Sequence, residues 1–213
     1  MDRRRVAVTG IGVIAPCGLG ASAFWDGLHR PPPSGEVLRI TDFDPEQYYE
    51  SPKDARRADR FQQFAHAAAQ EAVAMAGTLT AEPRRIGTLV GTGIGGLATI
   101  EAQSAVCRDR GPRRVSPFLI PMVMGNAPAA GISMHYGFQG PCESVTTACA
   151  TGTHAIANAA RLIFSGRCDA VLAGSTEAAI TETGIAGFRN MTALSSTGRS
   201  CPFDADRDGF VMS

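Results

Sequence analysis

The chain has 213 residues, 44% hydrophobic and 19% charged, which bounds it to one large globular domain or two small ones. Its 20 basic and 20 acidic residues cancel, which argues against nucleic acid as the main partner, because phosphate binding calls for a positive excess. The start, Met1-Asp2-Arg3-Arg4-Arg5-Val6, lacks the apolar core of a signal peptide, and no run reaches transmembrane length, so a cytoplasmic location without a membrane partner is expected.

Val6-Ala7-Val8-Thr9-Gly10 reads as a short buried strand ended by glycine. Residues 31–54, rich in Pro and charge, read as a surface excursion. From Ala55 to Met75 apolar residues recur at helical spacing (Phe61, Phe64, Ala65, Ala68, Ala72, Met75), with Gly77 as the stop. Ile86–Val90 is a second strand. Pro112 to Pro128 reads as an extended, Pro-punctuated loop leading into another helix. Glu143–Ala148 is a third strand, followed by a helix from Cys149 to about Ser165, and Asp169–Gly174 is a fourth strand. Alternating helices and continuous apolar strands predict an α/β fold with a parallel-rich sheet covered on both faces.

Thr146-Thr147-Ala148-Cys149-Ala150-Thr151 carries the chemistry. It places one thiol on a tight strand-to-helix turn, at the positive end of a helix, among residues small enough to admit a substrate. A helix N-terminus is worth up to about 2 kcal/mol to a negative charge. That favours the thiolate but does not complete a site, which also requires an oxyanion hole and an acid/base pair. The amide of Cys149 is one oxyanion donor. His154, five residues on, lies about 500° around the helix at ~100° per residue, so it is a poor base for the thiol. His29, His66 and His135 show no partner in the sequence and are read as structural.

The other motifs have plainer readings. Cys17, Cys107, Cys142, Cys168 and Cys201 form no CxxC pair, with Cys149 or among themselves, so neither a metal site nor a disulfide framework is expected. Gly91–Gly96 matches G-x-G-x-x-G after a strand, but Glu101 comes too soon for the ribose carboxylate, and residues 107–121 do not read as strand. A flexible glycine turn near a pocket is preferred, and no cofactor is expected. Asp204, Asp206, Asp208 and Gly209 mimic half a calcium loop without its closing Glu, so a turn tied by Asx hydrogen bonds is the better account. Arg110, Arg113 and Arg114 form a local basic patch, either a solvated loop or a dock for an acidic partner.

Four stretches together resemble the N-terminal half of the β-ketoacyl-[acyl carrier protein] synthases, in the thiolase superfamily. They are Val6–Gly12 (VAVTGIG), Gly91–Gly96 (GTGIGG), Ser116–Pro121 with Gly140–Gly152 (SPFLIP, then GPCESVTTACATG), and Pro202–Met212 (PFDADRDGFVM). The resemblance implies a thiolase-like layered α/β/α/β/α fold, with residues 1–213 supplying an N-terminal domain that is incomplete without a C-terminal half. It implies acyl transfer to Cys149, then decarboxylative Claisen condensation with malonyl-carrier, with acyl carrier protein as partner, in fatty-acid or polyketide synthesis. By position, Ile94 and Phe188 match residues lining the acyl pocket, and Leu119 matches one reaching toward the neighbouring subunit. Glu143–Ala148 matches the strand that pairs across the family's dimer axis. Cys149, being Cys rather than Gln, argues against the inactive chain-length-factor subtype. Cys201 departs from the family, standing where Arg is common.

The family's two catalytic histidines and second oxyanion amide belong to its C-terminal half. Ending at Ser213 would leave an apolar edge unpaired. The expectation is therefore a split synthase completed by a complementary C-terminal chain, dimeric as an assembled unit, with a truncated record as the competing explanation. Two other functions stay open on the same scaffold: a non-elongating acyltransferase, and a non-catalytic scaffold subunit.

Overall fold

The computed structural model describes residues 4–31 and 33–213. An antiparallel ribbon of β1 (Ile14–Ala15) and β2 (Gly18–Leu19) leads into helix α1 (Ala21–Leu28). One helical turn, α2 (Pro52–Ala55), precedes the long α3 (Arg60–Ala76). Strand β3 (Ile86–Gly91), α4 (Leu97–Arg110), α5 (Leu119–Val123) and α6 (Ala127–Tyr136) follow. The chain continues through β4 (Cys142–Glu143), α7 (Thr151–Phe164), β5 (Ala170–Ser175) and α8 (Glu182–Asn190).

The sheet is parallel, in the order β4-β3-β5, with Leu89 opposite both Glu143 and Ala173. Strand β3 is buried at every position: β5 pairs along its length, β4 pairs at Thr88 and Leu89, and α6 and α7 pack on it. On one face Val90 and Leu172 meet Ala65 and Ala69 of α3 and Ala129 and Ile132 of α6. Leu89 points the other way and is fully buried, and on that side Gly91 meets Thr151 of α7. Helix α7 buries Thr151, Ala155 and Ala159, a stripe at four-residue spacing, and packs on β3 and β5. Its other side leaves Ile156 56% and Phe164 53% exposed, an apolar face that the described residues do not cover.

The expected strands Ile86–Val90 and Asp169–Gly174 form within a residue or so, and Gly77 stops α3 in a positive-φ conformation (φ 73°) that side chains disfavour. Four expectations change. Val6–Gly10 is not a buried strand: residues 4–9 are exposed and pair with no strand among the described residues. The segment beyond lies on α3 instead, where a Cβ on Gly10 or Gly12 would overlap the carbonyl oxygens of Ala72 and Ala68. Glu143–Ala148 pairs only at Cys142–Glu143, and residues 146–150 are exposed. The helix expected from Ala55 begins at Arg60, because the Asp59 side chain caps it by accepting from the Phe61 amide at 3.3 Å. The loop expected over Pro112–Pro128 contains a turn of 3-10 helix (Pro112–Arg114) and α5.

His66 is buried between α3, α6 and the loop before α2. It stacks on Tyr49 (ring centroids 4.6 Å apart) and meets His135 edge-on at 4.6 Å, while its Nε2 finds no hydrogen-bond partner among the described residues. Burial, reinforced by His135 and partly opposed by the Tyr48 carbonyl, lowers His66 from 6.5 to about 4. The folded state therefore keeps this ring neutral where the unfolded chain would take up a proton. The stability linked to it is intact above about pH 6.5 and declines as pH falls toward 4. His66→Phe retains a stacked ring and removes the titration. Melting temperature between pH 6.5 and 4 should fall less steeply for this variant than for the wild type, and parallel profiles would contradict the assignment.

Candidate active site

The nucleophile turn is built by close backbone approach at the C-terminal end of the parallel sheet. A Cβ on Gly91 would overlap the Val145 carbonyl oxygen and lie 2.5 Å from Thr151 Cγ2, so glycine lets the incoming chain and α7 seat against β3. A Cβ on Gly152 would lie 2.7 Å from Ser175 Oγ, so glycine likewise lets α7 press on the end of β5.

Between these contacts the chain turns through Ala148, a non-glycine residue at φ 49°. This left-handed conformation costs on the order of 1–3 kcal/mol and persists only where the surroundings over-determine it. Thr151, only 2% exposed, supplies that determination. Its Oγ1 accepts from the Thr147 amide at 2.9 Å and donates to the Ala148 carbonyl at 2.7 Å. The Ala150 amide donates to Thr147 O and the Thr151 amide to Ala148 O, both at 3.1 Å. Cys149 is thereby held exposed at the crest, two residues before the 14-residue α7. Its amide donates to no acceptor found among the described residues, which leaves it available to an oxyanion.

A helix does begin at the glycine loop, α4 at Leu97, as a dinucleotide site would require. The loop amides are nevertheless occupied. Glu177, two residues beyond β5, accepts from Thr92 Oγ1 at 3.1 Å and from the amides of Gly93 at 2.9 Å and Ile94 at 3.1 Å. The exposed carboxylate of Glu177 thus occupies the amides a phosphate would use. The loop's far end is held by Asp59, which accepts from the Thr99 amide at 3.2 Å and Thr99 Oγ1 at 2.5 Å.

Ile94 stands on this loop, 45% exposed, beside Gly93, at which a Cβ would lie 3.6 Å from Ala148 Cα. Leu119 opens α5, whose Val123 carbonyl receives the Gly96 amide at 3.4 Å. The loop of Ile94 is therefore against the Cys149 turn, and the helix of Leu119 is against that loop. Phe188 lies on α8, where it meets Phe210 edge-on at 5.3 Å. A cavity of about 780 Å³ lined by Ala193, Cys201, Phe203 and Phe210 includes neither Cys149 nor Ile94.

Among the described residues no hydrogen bond joins a histidine to Cys149; His29 Nδ1 lies 2.8 Å from the Trp25 carbonyl, and His154 sits within α7. The acidic motif closes on itself. Asp204 accepts from the Asp206 amide at 2.9 Å, and Asp208 accepts from Ser195 Oγ and Ser196 Oγ at 2.7 Å each. The Ser196 and Ser195 hydroxyls hold the Asp208 carboxyl well below the usual carboxylate range. Glu177 escaped the sequence reading. Its one signal is position, a carboxylate just past a strand at the end of a parallel sheet where sites collect.

Thr151→Val preserves shape and deletes both hydroxyl bonds of the turn. It should destabilise the chain by about 1–3 kcal/mol in denaturant titrations, and slow alkylation of Cys149 relative to the other cysteines. Unchanged stability and reactivity would show that the turn does not depend on the clamp.

The model of the family described as "Beta-ketoacyl synthase, N-terminal domain" matches residues 27–213. The chain is 40% identical to the 3-oxoacyl-[acyl-carrier-protein] synthase 2 of Synechocystis sp., covering 100% of this chain and 56% of that protein. It is 39% identical to the protein of the same name from Vibrio cholerae, again covering 100% of this chain and 56% of that one. Among solved structures, the ishigamide ketosynthase/chain length factor shares its fold with a TM-score of 0.85 at 27% identity, over 99% of this chain and 56% of that one. The chain spans about half the length of the curated relatives it matches. Sequence and fold agree: this chain belongs to the beta-ketoacyl synthase family and carries its N-terminal domain.

Proposed function

We propose that this chain is the nucleophile-bearing half of a β-ketoacyl-[acyl carrier protein] synthase. The observation that carries this reading is Cys149, exposed on a strained turn at the start of α7, with its own amide unengaged among the described residues. The Cys149 thiolate attacks the carbonyl of an acyl thioester, and negative charge collects on the carbonyl oxygen, where the Cys149 amide can donate. Collapse of this intermediate breaks the bond to the carrier sulfur, which leaves as a thiol and takes a proton. Malonyl-carrier then loses carbon dioxide, and the resulting carbanion attacks the acyl-cysteine carbonyl. The new carbon–carbon bond forms as the bond to Cys149 sulfur breaks, which regenerates the thiolate.

Proton handling and the second oxyanion donor come, in this reading, from a complementary C-terminal half bearing two histidines. The uncovered side of α7, with Ile156 and Phe164, is where that half would pack. Ile94 and Phe188 would line the acyl pocket, and Leu119 would reach toward a second copy in a dimer. The exposed Arg110, Arg113 and Arg114 would offer a cationic edge to an acidic carrier protein.

The test is reconstitution. With a C-terminal ketosynthase half, in one polypeptide or as two chains, the wild type should form an acyl adduct on Cys149, release carbon dioxide from malonyl-carrier, and yield a β-ketoacyl product. Cys149→Ala should lower product formation by about a thousandfold or more. Adduct formation without carbon dioxide release would identify an acyltransferase instead, and full product formation by Cys149→Ala would refute the assignment.

A further inference from the structure

We infer that Glu177 is a positioning residue: its carboxylate pins the glycine loop against the Cys149 turn and so sets the wall that Ile94 presents to an acyl chain. This rests on the proposed roles of Cys149 and Ile94. Two successive amides, Gly93 and Ile94, converge on the single oxygen Oε2 at 2.9 and 3.1 Å, while Oε1 takes the Thr92 hydroxyl at 3.1 Å. Consecutive amides cupped around one anionic oxygen form a strong, directional hold.

On its Cβ side Gly93 faces both this carboxylate and the turn: a Cβ there would lie 2.8 Å from Glu177 Oε2 and 3.6 Å from Ala148 Cα. Carboxylate and nucleophile turn therefore both neighbour Gly93, with Cys149 the next residue along from Ala148. The rest of the loop is already fixed, at Gly95 by Thr92 Oγ1 (3.1 Å) and beyond it by Asp59 through Thr99. The stretch from Gly93 to Ile94 depends on Glu177 alone among the hydrogen bonds of the described residues. With glycine at 91, 93, 95 and 96, the loop has few side chains of its own to define its path.

Glu177→Ala removes all three bonds, whereas Glu177→Gln keeps the shape and an acceptor oxygen but turns one end into a donor. Two readouts decide. Acylation of Cys149 by acetyl-, octanoyl- and palmitoyl-N-acetylcysteamine, followed by intact mass, gives the ratio of rates across chain lengths. Hydrogen exchange at Gly93 and Ile94 reports the loop directly. Loss of charge-assisted bonds should speed that exchange by about tenfold or more in Glu177→Ala and change the rate ratios by a similar factor, with Glu177→Gln in between. Unchanged ratios with unchanged exchange would overturn the inference, as would an equal fall in all three rates with exchange unaltered. If Glu177→Ala does not fold, Glu177→Gln and Thr92→Val decide by the same readouts. A wild type that forms no adduct would count against the reading of Cys149, and the exchange rates would then judge Glu177 alone.

Discussion

The chain leading to Cys149 passes so close to strand β3 that no side chain fits at Gly91, where a Cβ would overlap the Val145 carbonyl. From this main-chain contact the site follows. It brings α7 down onto the sheet far enough for Thr151 to be buried, and a buried Thr151 can reach back to both Thr147 and Ala148. Those two bonds hold Ala148 in a backbone conformation it would otherwise leave, and the thiol stands at the crest because the turn beneath it cannot relax.

Polar side chains then bracket the loops around the sheet end, each serving backbone groups far away in sequence. Glu71 of α3 accepts from the Val13 amide at 3.0 Å and the Ala21 amide at 2.6 Å, which stitches the N-terminal ribbon to that helix. Thr176 donates to the Phe61 carbonyl at 2.6 Å, tying the end of β5 to the start of α3. Asp59 caps α3 and at the same time receives the start of α4. The buried Asp59 and the partly buried Glu71 are each satisfied by more than one donor, as burial demands.

What could be read in the sequence followed from what each feature depends on. Strands β3 and β5 are unbroken apolar runs, and α7 repeats small residues at helical spacing, so local pattern sufficed for them. The Cys149 turn was legible because strand, small residues and helix are contiguous. Val6–Gly10 and Glu143–Ala148 have strand composition, but a strand is a relation to a partner, and among the described residues neither finds one along its length. The start of α3 was misplaced because apolar spacing continued through Ala55, while the cap at Asp59 depends on one side-chain bond. Glu177 stayed hidden because its acceptors' partners are main-chain amides 83 and 84 residues away, and a main-chain amide leaves no mark on sequence.

The small residues that shape this turn differ in how they could be exchanged. At Gly152 the obstructing atom is Ser175 Oγ, at 2.7 Å, with Ser175 Cβ at an ordinary 3.6 Å, so trimming that hydroxyl would make room for alanine. At Gly91 the obstruction is the peptide carbonyl of Val145, which no substitution can shorten. Gly152 and Ser175 can thus vary as a pair along a neutral path, whereas Gly91 has no compensating suppressor and drifts with nothing. Across divergent copies of this domain, the first pair should show epistasis and Gly91 should show only invariance.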